Sequence, residues 1–279
     1  MTVRSLISSP IRRAAPGDAK HWPGVAFMAV LFFAYVYLPI AVLIALSFNA
    51  NELVTIWSGF SIDWYVKALQ NEEMLRAAKN SLIIAVVAAT ASTALATLAA
   101  VRMARDRFVG QSAMNVMIAL PLTVPEIVTA VATLMFFAMV GITQGLITVM
   151  IAHTVFCIPF AYLPIRARLE GLDPKLIEAA GDLYATPGKA FRKVTLPLIM
   201  PGIISGAVLA FIISLDDFVT TFFVGGAGST TLPIYIFGLI RVGVSPEVNA
   251  ISSIMLLVSV ALVSLSLLLG RGRGQTQHR

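Results

Sequence analysis

Apolar residues fill six runs of the chain, near positions 25–48, 79–101, 113–140, 144–165, 198–217 and 248–270. Each is about as long as the 20 or so residues that a helix needs to cross the hydrocarbon of a bilayer. The pattern predicts an all-α membrane protein with six transmembrane helices. The first run, Val25 to Phe48, is too long for the apolar core of a signal peptide and reads as an uncleaved span. Between the runs, Asn49 to Ala78 carries Trp57, Trp64 and Tyr65, which suits a short helix lying at the membrane interface. The apolar stretch Ile234 to Val242 is too short to span and reads as re-entrant or interfacial.

The most informative polar insert is the stretch 173–201, DPKLIEAAGDLYATPGKAFRKVTLPLIMP. It predicts two short helices set at an angle. Asp173 can cap the first, and Pro174 suits a first turn, where a missing N–H costs nothing. Leu172, Leu176, Ala180, Leu183 and Tyr184 recur at helical spacing as an apolar face, with Lys175, Glu178 and Asp182 on the other. Thr186 and Pro187 repeat the cap-and-proline signal, and Leu196-Pro197 closes the second helix before the next apolar run. A hairpin of this size cannot bury its own apolar stripe. It must lie on the membrane surface or in a groove on a partner protein.

Composition agrees with a polytopic membrane protein: 58% of the residues are hydrophobic and only 12% charged, against about 25% charged in soluble domains. The formal net charge of +6 could suggest nucleic acid, but the cations do not cluster on an aromatic-interleaved face. Their placement follows topology. Sixteen of the 20 Lys and Arg lie in the N-terminal stretch, the 102–110 loop, the 166–197 loop and the C-terminal stretch. Lys67, Lys79, Arg76 and Arg241 lie on or at the edge of the other side. The excess puts both termini and the 173–201 loop in the cytoplasm. The resulting division is an N-terminal tail (1–24), a transmembrane domain (25–270) and a C-terminal tail (271–279). Small residues suit helix packing, notably the alanines of the second run and Gly202-x-x-x-Gly206 in the fifth.

Several chemistries lack their residues. Gly188-Lys189 is the nearest approach to a nucleotide-binding loop, but Leu183 stands where a glycine is needed and Ala190 where Ser or Thr is needed. His21, His153 and His278 have no metal-ligand spacing, and His153 reads as a hydrogen-bonded packing residue. Cys157 lies inside an apolar run and reads as inert packing. No catalytic set is evident, so energy for work must come from elsewhere.

The 173–201 loop resembles the EAA signature of ATP-binding-cassette importer permeases, through Glu178-Ala179-Ala180 followed by Val194-x-Leu196-Pro197. The sequence departs from that signature at Tyr184, which occupies the usual glycine position. A turn there could not rely on free positive φ, so the bend is expected at Gly181, Thr186 or Gly188. Trp64-Tyr65, Asn80-Ser81-Leu82, Pro125-Glu126-Ile127, Ser214-Leu215-Asp216-Asp217 and the stretch from Gly243 to Ala250 further resemble the spermidine/putrescine branch of that family. The resemblance implies the type I importer permease (MetI-like) fold. It implies that Glu178, Ala179, Ala180, Gly181, Asp182, Leu183, Tyr184 and Pro197 dock a cytoplasmic ATPase dimer. It also implies a second homologous permease subunit, a periplasmic binding protein that delivers the solute, and a bacterial inner-membrane location. The chain is then no enzyme and carries no cofactor of its own, because ATP and Mg belong to the ATPase.

Three carboxylates are candidates for the substrate pathway: Glu126 beside Pro125, and Asp216 and Asp217 at the end of the fifth run. Intramembrane carboxylates cost about 2.5–3.5 kcal/mol on insertion scales and normally face a cavity or partner. Their sign suits a polycation. The alternatives are an internal ion pair or hydrogen bond for Glu126 and a solvated helix end for the aspartates. Adjacent helical residues diverge by about 100 degrees, so one aspartate is expected to face the pathway. Rival readings are the same machine carrying another organic cation, an amino acid-like compound or an Fe(III)-chelate, and, in a different class, a self-sufficient secondary transporter.

Overall fold

A computed structural model describes residues 23–53, 56–105, 108–243 and 245–271. The tails expected at 1–24 and 271–279 therefore fall almost wholly outside the described residues. The chain is helical: α1 (Pro23–Leu46), α2 (Asp63–Gln70), α3 (Glu72–Arg105), α4 (Gln111–Thr123), α5 (Glu126–Val140), α6 (Leu146–Glu170), α7 (Lys175–Asp182), α8 (Pro187–Ala190), a π-helical turn (Phe191–Thr195), α9 (Leu196–Asp216), α10 (Val219–Val224), α11 (Leu232–Val242) and α12 (Pro246–Arg271).

Helices α3, α6 and α9 pack against one another as the centre of the bundle. Their meeting faces are built of small residues: Ala89, Ala96 and Ala100 of α3, Cys157 and Ala161 of α6, and Ala210 of α9, closed by Tyr162 and Ile165. Along α3 the buried positions 81, 84, 85, 88, 89, 92, 93, 96 and 100 follow the helical period, so the alanine-rich run presents one continuous seam. Gly206 brings α9 closest to α6. A Cβ there would stand 2.6 Å from the Ala161 carbonyl oxygen, and one at Gly202 would stand 2.9 Å from that of Pro164. The Gly-x-x-x-Gly spacing thus works as the sequence suggests, by letting two backbones approach.

The helices divide the apolar runs differently. Among the described residues, four helical stretches are long and apolar enough to cross a bilayer: Ala26–Leu46, Glu72–Ala104, Leu146–Glu170 and Pro187–Asp216. The run expected as one span at 113–140 is instead two helices, α4 and α5, bent by 113°. Pro125 supplies no N–H to continue α4, and the residue before a proline favours extended backbone; Val124 has ψ of 135°. Counted as one crossing, the pair makes five. Helix α12 covers the sixth run, with Pro246–Ala261 as its apolar stretch among the described residues, which by themselves do not establish a sixth crossing.

The connections around 47–71 and 225–232 are held by buried side-chain hydrogen bonds. Residues 72–78 belong to α3 itself. Trp64, expected as an interfacial anchor, is buried, and its Nε1–H donates to the Asn49 carbonyl at 2.8 Å. Asn49 in turn folds the loop around its amide: Nδ2 donates to the Ile56 carbonyl at 2.8 Å, and Oδ1 accepts from the Ser58 N–H at 3.1 Å. The indole N–H is thus satisfied within the chain. The glycine-rich turn at 225–229 is held in the same way, with Asn80 Nδ2 donating to the carbonyls of Gly228 and Thr230 and Ser81 Oγ accepting from the Leu232 N–H. Gly226 presses on the α5–α6 connection, where a Cβ would stand 2.2 Å from the Gln144 carbonyl oxygen. Packing explains these glycines without a ligand. Helix α1 packs mainly on α12 and is exposed along its apolar length.

Candidate functional site

Asp216 and Asp217 end α9, and the chain turns sharply after them into α10. Because α9 stops there, the two side chains diverge fully: Asp216 is exposed, whereas Asp217 is buried at 7% exposure. Asp217 Oδ1 accepts the Thr221 N–H at 3.1 Å. Its other oxygen, Oδ2, is buried with no hydrogen-bond partner among the described residues. Glu126 begins α5 at the break in the 113–140 run, and its partly buried carboxyl stands beside that of Asp217. The helix N-terminus favours a carboxylate at that position. The bend in the α4–α5 pair therefore does more than curve a helix. It turns Glu126 out of a helix interior and into the junction with α10, which packs on α5.

His153 of α6 completes the cluster. It is 1% exposed. Its Nδ1 lies 2.8 Å from Ser214 Oγ on α9, its Nε2 lies 2.9 Å from Thr221 Oγ1 on α10, and the same Nε2 lies 3.4 Å from Asp217 Oδ1. The network is satisfied when Nε2 carries a proton toward Thr221 and Asp217 and Nδ1 accepts from the Ser214 hydroxyl. His153 is thus hydrogen-bonded, as expected, but its partners are 61 and 68 positions away, and the same ring stands against Asp217, a candidate site residue. The signal that could have linked them is polarity at matching depth in separate apolar runs. Sequence spacing alone does not give depth. Among the described residues, no three His, Cys, Asp or Glu side chains converge as metal ligands.

Beside this cluster, between α4–α5 and α6, lies an apolar cavity of about 430 Å³ lined in part by Thr133, Phe136, Phe137, Phe156 and, at its α10 edge, Thr220. Carboxylates next to an aromatic-walled cavity can take an ammonium group and the hydrocarbon attached to it.

At the other end of α9, about 32 Å away along its 21 residues, stands the 173–201 hairpin. Asp173 caps as expected, its Oδ1 accepting the Lys175 N–H at 3.0 Å. Two expectations fail. Leu196-Pro197 does not close the second helix: α8, the π-helical turn and α9 run on as one apolar helical stretch from Pro187 to Asp216. Pro197 sits in the first turn of α9, where its missing N–H is tolerated. Nor does the bend move away from Tyr184, which itself adopts φ of +58°. The Ala185 N–H donates to the Ala180 carbonyl at 3.0 Å and the Tyr184 N–H to that of Gly181 at 2.8 Å. This is a Schellman termination with tyrosine at the position normally given to glycine, because two carbonyl bonds hold the left-handed turn in place.

The predicted apolar face of the hairpin is covered only at its base. Ala180 is buried and Leu172 partly so, while Leu183 and Tyr184 are 81% and 96% exposed. Glu178, Ala179, Gly181 and Asp182 are also exposed. Glu178 borders a recess of about 550 Å³ between the hairpin and the ends of α3 and α6.

Residues 92–272 match the family described as binding-protein-dependent transport system inner membrane component. The chain is 43% identical over 246 residues to the spermidine/putrescine transport system permease protein PotC of Haemophilus influenzae, covering 88% of this chain and 95% of that protein. It is 43% identical over 234 residues to the putrescine transport system permease protein PotI of Escherichia coli, covering 81% and 83%. Among solved structures, a bacterial ABC transporter involved in import of the acidic polysaccharide alginate superposes with a TM-score of 0.70 at 17% identity, over 90% of this chain and 95% of that one. The MetNI methionine ABC transporter superposes with a TM-score of 0.61 at 20% identity, over 72% and 98%. At those identities the likeness speaks for the fold.

Proposed function

The chain belongs to the family of binding-protein-dependent transport system inner membrane components, and from that premise we propose that it is the permease subunit through which an ATP-driven importer passes polyamines such as spermidine or putrescine across a bacterial inner membrane. The observation that carries the substrate class is Asp217. Its bare, buried Oδ2 beside Glu126 is an uncompensated acceptor of negative sign, which a protonated amine would satisfy. The apolar cavity alongside suits the methylene chain between amines. The names of the relatives point to the same solutes.

Power reaches this site from outside the chain. The exposed tip of the 173–201 hairpin, with Glu178, Leu183 and Tyr184, is the surface that an ATPase subunit would grip on the cytoplasmic side, with both termini. Helix α9 joins that hairpin to Asp217 through an unbroken helical run. Rotation imposed on the hairpin by ATPase closure would therefore move the carboxylates as part of one rigid body. A second homologous permease facing the Glu126 side would complete the passage, and a periplasmic binding protein would fill it.

The test is reconstitution of the chain in liposomes with the ATPase, the second permease and the binding protein. Radiolabelled spermidine or putrescine should accumulate only with ATP and only with the ATPase present. Uphill uptake by the chain alone would overturn the reading in favour of a secondary transporter. Stimulation of ATP hydrolysis by an amino acid-like or Fe(III)-chelate solute, with none by polyamines, would overturn the substrate class.

A further inference from the structure

Asp217 is useful as an amine receptor only if one oxygen is kept free and aimed. That control does not come from its own helix, which ends at the preceding residue. It comes from α6. We propose that His153 is a positioning residue for amine capture: by holding Oδ1 of Asp217 at the α6–α10 junction, it leaves Oδ2 free for a cationic amine. The proposal rests on the assignment of Asp217 to the polyamine pathway.

Each ring nitrogen of His153 has a separate duty. Nδ1 fixes the ring to Ser214 of α9, one turn before Asp217. Nε2 meets both Thr221 Oγ1 at 2.9 Å and Asp217 Oδ1 at 3.4 Å. The Thr221 N–H reaches the same Oδ1 at 3.1 Å. Both groups therefore converge on one carboxylate oxygen, and the other, which is buried, makes no hydrogen bond among the described residues. A carboxylate with both oxygens satisfied would gain little from an amine. Burial of the ring keeps water from competing for either nitrogen.

The experiment uses the assembled importer in membranes, with radiolabelled spermidine as the probe and the amount of complex followed by co-purification. Asparagine carries its amide nitrogen near the Nδ1 position, so His153→Asn keeps the Ser214 contact and loses that to Asp217. Glutamine reaches the Nε2 position, so His153→Gln keeps the Asp217 contact. His153→Asn should raise the KM for uptake about tenfold, the scale on which hydrogen bonds behind a ligating group act. His153→Gln should restore most of it. Ser214→Ala, which releases Nδ1 and with it the orientation of the ring, should raise KM in the same direction and gives a second route should the asparagine variant not assemble. In an Asp217→Asn background, His153→Asn should add nothing.

A normal KM in both His153→Asn and Ser214→Ala, with Asp217→Asn defective, overturns the positioning role and leaves the pathway reading standing. Multiplying effects in the double variant do the same. Normal uptake in Asp217→Asn overturns the pathway reading itself and the positioning role with it.

Discussion

Replacing Tyr184 separates two things that one residue does at the hairpin tip. Its backbone stands at φ of +58°, where a left-handed conformation costs an L-residue about 1–2 kcal/mol. Glycine removes that cost but restores backbone freedom to the unfolded chain, worth about 0.5–1 kcal/mol. The ring is 96% exposed, so its loss removes almost no packing within the chain. Tyr184→Gly should therefore stabilise the isolated chain by about 0.5–1 kcal/mol, or roughly 1–4 °C in thermal midpoint. A strained residue with an exposed ring persists where the strain serves a contact. If that contact is the ATPase groove, both Tyr184→Gly and Tyr184→Ala should weaken ATPase binding by about 2 kcal/mol, close to thirtyfold in Kd, as loss of an aromatic anchor does. Tyr184→Ala keeps the backbone strain, so it should bind as poorly as the glycine variant without gaining stability. Thermal unfolding of the purified chain reads the first effect, and titration with the ATPase reads the second. Unchanged ATPase affinity in both variants would refute the anchor, and a lower midpoint for Tyr184→Gly would refute the strain argument.

Three further outcomes follow from the geometry. Glu126→Gln and Asp217→Asn should each lower spermidine uptake about tenfold or more, the scale of one lost charge-assisted hydrogen bond, with normal amounts of complex; Asp216→Asn, whose side chain is exposed, should act far more weakly in the same uptake assay. Glu178→Lys reverses a charge on the exposed hairpin and should detach or uncouple the ATPase; normal co-purification and normal solute-stimulated hydrolysis would remove Glu178 from docking. Gly206→Ala places a Cβ 2.6 Å from the Ala161 carbonyl oxygen, which no rotamer change relieves, and should destabilise the chain by about 1–3 kcal/mol; a thermal midpoint equal to that of the parent would show that α6 and α9 separate freely.

Composition and periodicity were enough to establish a helical membrane protein, the seam of alanines on α3, the close approach at Gly202 and Gly206, and an amphipathic hairpin that cannot bury its own apolar face. Those properties are local. They depend on how apolar and small residues recur along one helix, and recurrence is written in order. The candidate carboxylates were also legible, because a charge in an apolar run is visible wherever it stands. What they do was not. That Asp216 faces out while Asp217 is buried depends on where α9 stops. That Glu126 meets Asp217 depends on a 113° bend between α4 and α5, which hydropathy counts as a single span. The grip of His153 joins residues 61 to 68 positions apart, and only packing of α6 against α9 and α10 brings them together. Tyr184 makes the same point in reverse. Its side chain argued against a left-handed turn, yet two carbonyl hydrogen bonds at the end of α7 outweighed the penalty, because local preference is worth about 1 kcal/mol and yields to contacts that only the folded chain can make.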